Sequence, residues 1–182
     1  MHRSPLKNKL SEHRPYNNEE QQMLEQIVQF VTAQPDCFER HLSMGHITGS
    51  AWIVDLERSH ALLTHHRKLD RWLQLGGHSD GDPDTLNVAL REGREESGLD
   101  SIHPVSDAIF DVDVHLIPAR KSEPDHFHYD VRFLLEADRK QPLVISAESN
   151  DLAWVPLDKI AALAPDASIL RMLAKTLALR DF

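Results

Sequence analysis

Apolar positions divide the chain into a helical start, a block of strands, one capped helix, further strands and a helical end. Residues 1–17 are polar and carry Pro5 and Pro15, a composition that predicts a loosely ordered arm. The period then turns helical, with Met23, Leu24, Ile27, Val28 and Val31 on one face of an amphipathic helix. Asn18 stands where an N-cap is needed, and Pro35 marks the exit.

From His46 the pattern changes to strands. Ile47 to Val54 is rich in β-branched and aromatic residues, and Ala61 to Thr64 is a short apolar run. The polar stretch from Asp55 to Ser59 suits a hairpin connection between them. Trp72 to Leu75 leads directly into Gly76 and Gly77. After a helix over 83–97, Ile109, Asp111, Asp113 and His115 alternate with Phe110, Val112, Val114 and Leu116. Phe127–Ala137 and Leu152–Val155 read as further strands. A last helix over 167–179 carries Ile169, Leu170, Leu173 and Leu177 on one stripe. Strands interrupted and flanked by helices, without a regular βαβ repeat, predict an α+β fold. Its form would be an α/β/α sandwich around a mixed sheet rather than a doubly wound parallel sheet.

At 182 residues the chain fits one domain with a real core. A net charge of −9 argues against stable nucleic-acid binding or attachment to a membrane surface, both of which need a basic face. Phosphate-bearing substrates stay open, because a bound cation inverts the local sign of an acidic site. The single cysteine, Cys37, excludes an intramolecular disulfide framework and fits a reducing cytoplasm. No apolar run approaches membrane-spanning length, and the N-terminus lacks a signal-peptide core, so a soluble cytoplasmic protein is expected. The twelve histidines are scattered and none forms a helical i, i+4 ligand pair, which makes exposed or supporting positions the plain expectation.

The informative stretch runs from Gly76 to Leu99. Asp82 is a suitable N-cap, Pro83 fits the first helical position, Asp84 suits the first turn, and Gly98 can stop the helix in a left-handed turn. Glu92, Glu95 and Glu96 stand at i, i+3 and i+4, so Glu92 neighbours both others. They crowd the negative end of the helix dipole, where each acid costs roughly 0.3–1 kcal/mol. Arg91 and Arg94 offset part of this. A divalent cation removes the conflict, since hard cations gather carboxylate, carbonyl and water oxygens. A solvated acidic face would explain three acids alone, but the flanking glycines make the pattern specific. Each fixed residue occurs at roughly one position in fifteen to twenty, so six of them coincide by chance at about one start in ten million.

These residues resemble the signature of the Nudix hydrolases, G-x5-E-x7-R-E-U-x-E-E-x-G-U with U a bulky aliphatic residue. Gly77, Arg91, Glu92, Glu95, Glu96, Gly98 and Leu99 fill their places. Pro83 stands where the first glutamate belongs, and Gly93 replaces the first aliphatic residue. The first glutamate helps to orient the arginine in the family, a role that the adjacent Asp82 or Asp84 could take. The likeness extends over about residues 46–160 and takes in the Gly-Gly-His entry and the stretch from Glu148 to Leu157. It divides the chain into 1–45, an arm and helix packed on or beside the domain, and 46–182, the Nudix domain.

The resemblance implies hydrolysis of a diphosphate linkage in a nucleoside diphosphate joined to another group, with Mg²⁺ or Mn²⁺. It assigns metal coordination to Glu92, Glu95 and Glu96, with Glu148 and the Gly76 carbonyl as further ligands. Glu92 or Glu148 would act as the base, and Arg91 would support the site. His126, His128 and Asp130 alternate along a predicted strand and so share a side. They would line the substrate cleft or hold a metal with His78, although a solvent-facing strand side would look the same. Trp72 and Tyr129 offer stacking surfaces for a base, with packing as the plainer use. Two other functions fit the fold: a catalytically silent ligand sensor, and an isopentenyl-diphosphate isomerase relative. The latter needs an active-site cysteine, and Cys37 lies outside any matching motif. The N-terminal helix would serve a homodimer contact or pack on its own domain.

Overall fold

Strand β1 (Gly45–Asp55) is buried along its whole length, and the sheet is built outward from it. The computed structural model describes residues 2–119 and 124–179. Ahead of β1 lie helices α1 (Ser4–Glu12) and α2 (Asn18–Ala33). Strands β2 (His60–His66), β3 (Arg71–Leu73) and β4 (Leu75–His78) follow, then helix α3 (Thr85–Ser97). Next come β5 (Ile102–Pro104), β6 (Asp111–Ile117), β7 (His126–Ala137) and β8 (Ser149–Pro156). Helices α4 (Leu157–Leu163) and α5 (Ala167–Ala178) complete the order.

The sheet is mixed. Its spine runs β3-β2-β1-β7-β5, while β4 pairs with β1, β6 with β7 and β8 with β2. Only the β1–β7 pairing is parallel among the described strands. Alternation along β1 feeds two cores. Ile47, Ala51 and Ile53 pack with Leu6, Leu10, Ile27 and Ala89 of the first three helices. Trp52 and Val54 pack with Ile160, Ile169 and Met172 of α4 and α5. Helices therefore cover both faces, which gives the expected α/β/α sandwich.

Three local expectations are corrected. The predicted loose arm contains α1, whose Leu6 and Leu10 lie one turn apart and are buried. Two leucines in a short polar helix leave little periodic signal, and their burial depends on α2 being present. The N-cap of α2 is Asn17, not Asn18, and its side chain accepts the Glu20 amide at 2.9 Å. The N-cap of α3 is Asp84, not Asp82, and it accepts the amides of Leu86 and Asn87 at 3.2 Å each. Asp82 braces this turn from outside, accepting the Asp84 amide at 2.9 Å and the Asn87 side chain at 2.7 Å. Gly98 ends α3 at φ 69°, as its sequence position requires.

Buried ionic groups clamp the layers together. Glu20 of α2 accepts from His13 at 2.9 Å, the Tyr16 amide at 2.7 Å and Lys175 of α5 at 2.6 Å. The apolar stripe of α2, including Leu24, Ile27 and Val31, packs into the chain's own core.

Candidate active site

Helix α3 lies directly on β1. A Cβ at Gly49 would come within 2.7 Å of the Thr85 carbonyl, so the close crossing depends on that glycine. The crossing aims one side of α3 at the β4 glycines. A Cβ at Gly77 would sit 2.4 Å from Glu92 Cδ, and the Gly76 amide donates to Glu96 Oε2 at 2.9 Å. Gly76 itself has φ 153°, and a side chain there would run into Ser50. Glu92 and Glu96 thus enter a cleft of about 340 Å³ with Gly76, Gly77, His78 and Glu148 on its walls. Glu95 stands on the solvent side, its side chain 60% exposed and 3.5 Å from Arg91.

Charge in this cleft is crowded. Burial pushes the Glu96 carboxyl up to about 7, and repulsion from Glu92, Glu148 and Glu95 adds to the effect against the Gly76 hydrogen bond. Burial also raises Glu92, opposed by Arg91 and reinforced by Glu95 and Glu148. Carboxylates held in this conflict, with no counter-ion for Glu96 among the described residues, match the donor set of a hard divalent cation. Glu92, Glu95, Glu96 and Glu148 could hold one.

The opposite wall is made by strand register. In the parallel β1–β7 pair His46 stands beside His128 and Thr48 beside Asp130. Across β7, His128 faces His115 and Asp130 faces Asp113. His78 of β4 pairs with Thr48. His78, His126, His128 and Asp130 therefore do share the cleft. The Asp130 carboxylate, however, is buried and engaged. It accepts Thr48 and Ser50 at 2.8 Å each and Arg132 at 2.7 Å. Arg132 in turn meets Asp111 and Asp113 at 3.2 Å each. Burial and neighbouring histidines depress His46 to about 4 and His128 to about 2, so both rings are neutral at neutral pH. Tyr129 stacks on Phe30 with centroids 3.9 Å apart, and Trp72 lies against His65 at 5.4 Å. A larger depression of about 520 Å³ among Lys9, His13, Phe110 and Leu179 contains none of the candidate site residues.

A scan of family models matches residues 46–175 to the NUDIX domain. The chain belongs to the Nudix family. It is a Nudix-type hydrolase, with Arg91, Glu92, Glu95 and Glu96 at their signature positions and Pro83 at that of the first glutamate. Solved structures share the Nudix fold at low identity. The C. elegans Ap4A hydrolase binary complex matches at TM-score 0.60 and 20% identity, covering 75% of this chain and 98% of that one. The E. coli dihydroneopterin triphosphate pyrophosphohydrolase matches at TM-score 0.55 and 14% identity, covering 72% and 95%. The NUDIX domain of Shewanella oneidensis NrtR complexed with ADP ribose matches at TM-score 0.53 and 16% identity, covering 80% and 92%. No curated protein sequence matches the chain at a significant level.

The two departures from the Nudix signature have local explanations. Pro83 lies in the turn before α3, and Arg91 is oriented without an acid there. It donates to Glu92 at 2.7 Å and to the His78 carbonyl at 2.9 Å. Neither Asp82 nor Asp84 is its partner in this structure; both are used by the helix cap. Gly93 faces Ala51, Ile53 and Ile102 at distances that admit a methyl group but crowd anything larger. Sequence reasoning missed His46 and Arg40. Arg40 lines the cleft and pairs with Asp80. His46 becomes visible only through the β1–β7 register, which no local pattern encodes.

Proposed function

We propose that this Nudix enzyme is a metal-dependent pyrophosphohydrolase that cleaves the diphosphate linkage of a nucleoside diphosphate joined to another group. The observation that carries this reading is the convergence of Glu92, Glu96 and Glu148 on one cleft, where Glu96 is buried with no counter-ion among the described residues. Glu92, Glu95 and Glu96, with Glu148 and the Gly76 carbonyl, would hold Mg²⁺ or Mn²⁺. Such an ion supplies charge neutralisation at the diphosphate and a more acidic water.

Other roles belong to the chain itself. Arg91 fixes the Glu92 carboxylate and ties α3 to the His78 carbonyl. Glu92 or Glu148 would take the proton from attacking water. His78, His126 and His128 face the cleft from the strand side, where imidazoles can donate to phosphate or ribose oxygens. Asp130 acts by holding that wall in register. Ap4A, which one fold relative is named for hydrolysing, and ADP ribose, bound by another, belong to the proposed substrate class.

Cys37 is buried, and burial pushes its thiol up to about 11, which gives no support to isomerase chemistry at a cysteine. A single reduced thiol fits a cytoplasmic location. No helix of the described residues is long and apolar enough to cross a membrane. The test is a panel of ADP-ribose, dinucleoside polyphosphates and nucleoside triphosphates with Mg²⁺ or Mn²⁺, read as released nucleoside monophosphate. Turnover of a nucleoside diphosphate derivative, abolished by chelator, is expected. Tight binding without turnover of any compound would instead make the protein a ligand sensor.

A further inference from the structure

Three imidazoles from three strands meet beside the glutamates. One ring nitrogen from each of His46, His78 and His128 lies within 4.8 Å of the other two. Their ring centroids are 4.9 Å apart for His46–His78, 4.9 Å for His46–His128 and 5.1 Å for His78–His128. The arrangement is fixed by backbone pairing, since β1 is parallel to β7 with His46 beside His128, and β4 places His78 next to Thr48. His46 is only 3% exposed. Neither of its ring nitrogens has a hydrogen-bond partner among the described residues, and His128 Nε2 has none either.

A buried imidazole ordinarily satisfies its donor and its acceptor. Here neither ring nitrogen of His46 does so, nor does Nε2 of His128, and both rings lie against His78. We propose that His46, His78 and His128 form a second metal site, for a transition-metal dication of the Zn²⁺ type, beside the glutamate cluster.

Donor chemistry separates the two sites. Imidazole nitrogens suit Zn²⁺, Co²⁺ and Ni²⁺, whereas Mg²⁺ takes oxygen ligands. A tetrahedral Zn²⁺ with bonds of about 2.0–2.1 Å spaces its ligand atoms roughly 3.4 Å apart, so small side-chain rotations complete the triad. Burial keeps His46 and His128 in the neutral form that binds metal. Three protein ligands leave a fourth position. His126 stands 5.1 Å from His46 and 5.3 Å from His128 by ring centroids and can fill it, or a cleft water or phosphate oxygen can. His115, 5.5 Å from His128, is bound to Asp113 at 3.0 Å and belongs to the supporting layer. The site stands or falls without any assay of turnover.

The experiment is a titration of the chelator-stripped full chain with Zn²⁺ in saturating Mg²⁺, followed by calorimetry. In parallel, long-range ¹H–¹⁵N spectra of the histidine rings identify the nitrogens that shift. One equivalent of Zn²⁺ is expected, with shifts at His46, His78 and His128. Both His128→Ala and the half-buried His78→Ala should weaken Zn²⁺ binding at least about tenfold, while Glu95→Gln leaves it unchanged. Melting curves verify that each variant is folded, and the ring spectra of the unmodified chain need no variant at all. Absence of Zn²⁺ binding would overturn the proposal. So would binding that is lost in Glu95→Gln and retained in both histidine variants.

Discussion

Arg91 donates to the carbonyl of His78 at 2.9 Å while its other terminal nitrogen holds Glu92 at 2.7 Å. One side chain thus links the acidic helix to the strand that enters the cleft. Replacing Arg91 with Lys keeps the charge but loses the two-pronged geometry. Activity should fall about 10–100-fold, with a raised Mg²⁺ or Mn²⁺ requirement, as when a group supporting metal ligands is removed. Steady-state rates across a metal titration give the answer, and an unchanged metal requirement would show that Arg91 does not act through Glu92.

Gly77 and Gly93 make opposite predictions. A methyl group at Gly77 meets the far end of Glu92, with 2.4 Å to Cδ, so the carboxylate moves rather than the backbone. Gly77→Ala should therefore retain its melting temperature yet lose activity by about tenfold or more, as misplacement of a catalytic group does. At Gly93 the nearest neighbours would be Ile102 and Ile53 at 3.4 Å and Ala51 at 3.5 Å, ordinary contact distances. Gly93→Ala should stabilise the protein by up to about 1 kcal/mol through helix propensity, with turnover unchanged. Denaturant melts and rates on both variants distinguish the two cases.

Glu20 sets a pH limit on stability. Burial raises its carboxyl, but hydrogen bonds from His13, Lys175 and the Tyr16 amide outweigh this and bring it from 4.5 down to about 2. A group depressed in the folded state contributes stability that is complete above its unfolded pKa and is lost as pH falls through the folded one. Stability should therefore decline as pH drops from 4.5 toward 2. Glu20→Gln should cost about 3 kcal/mol at neutral pH, the linkage equivalent of that shift, while Lys175 keeps its ion pair with Asp111. Urea melts at a series of pH values should show the two proteins converging at the acid end. A constant difference across the series would assign the loss to packing.

The sequence made α3 and its acids legible because their signals are local: caps, a stop glycine and three glutamates within two turns. It also placed His126, His128 and Asp130 on one face, since strand alternation is a local rule as well. What it concealed came from partners distant in the chain. The cap of α3 moved from Asp82 to Asp84 because both carboxylates compete for the same turn, and backbone geometry decides between them. The Asp130 carboxylate turned inward to Arg132, Thr48 and Ser50, a network set by the β1–β7 register. His46 came to lie against His128, behind the cleft wall, through that same register, and α1 owes its place to contacts of Leu6 and Leu10 with the core.

The central claim is that the crowded glutamates of α3 perform metal-dependent hydrolysis. It is tested most directly by the Glu95→Gln/Glu96→Gln double variant, assayed on the best nucleoside diphosphate substrate with saturating Mg²⁺ or Mn²⁺. The account predicts turnover reduced to near background in a protein that melts at or above the wild-type temperature, because removing the buried Glu96 charge relieves repulsion from its neighbours. Metal-dependent turnover at the wild-type rate in a folded double variant would contradict it.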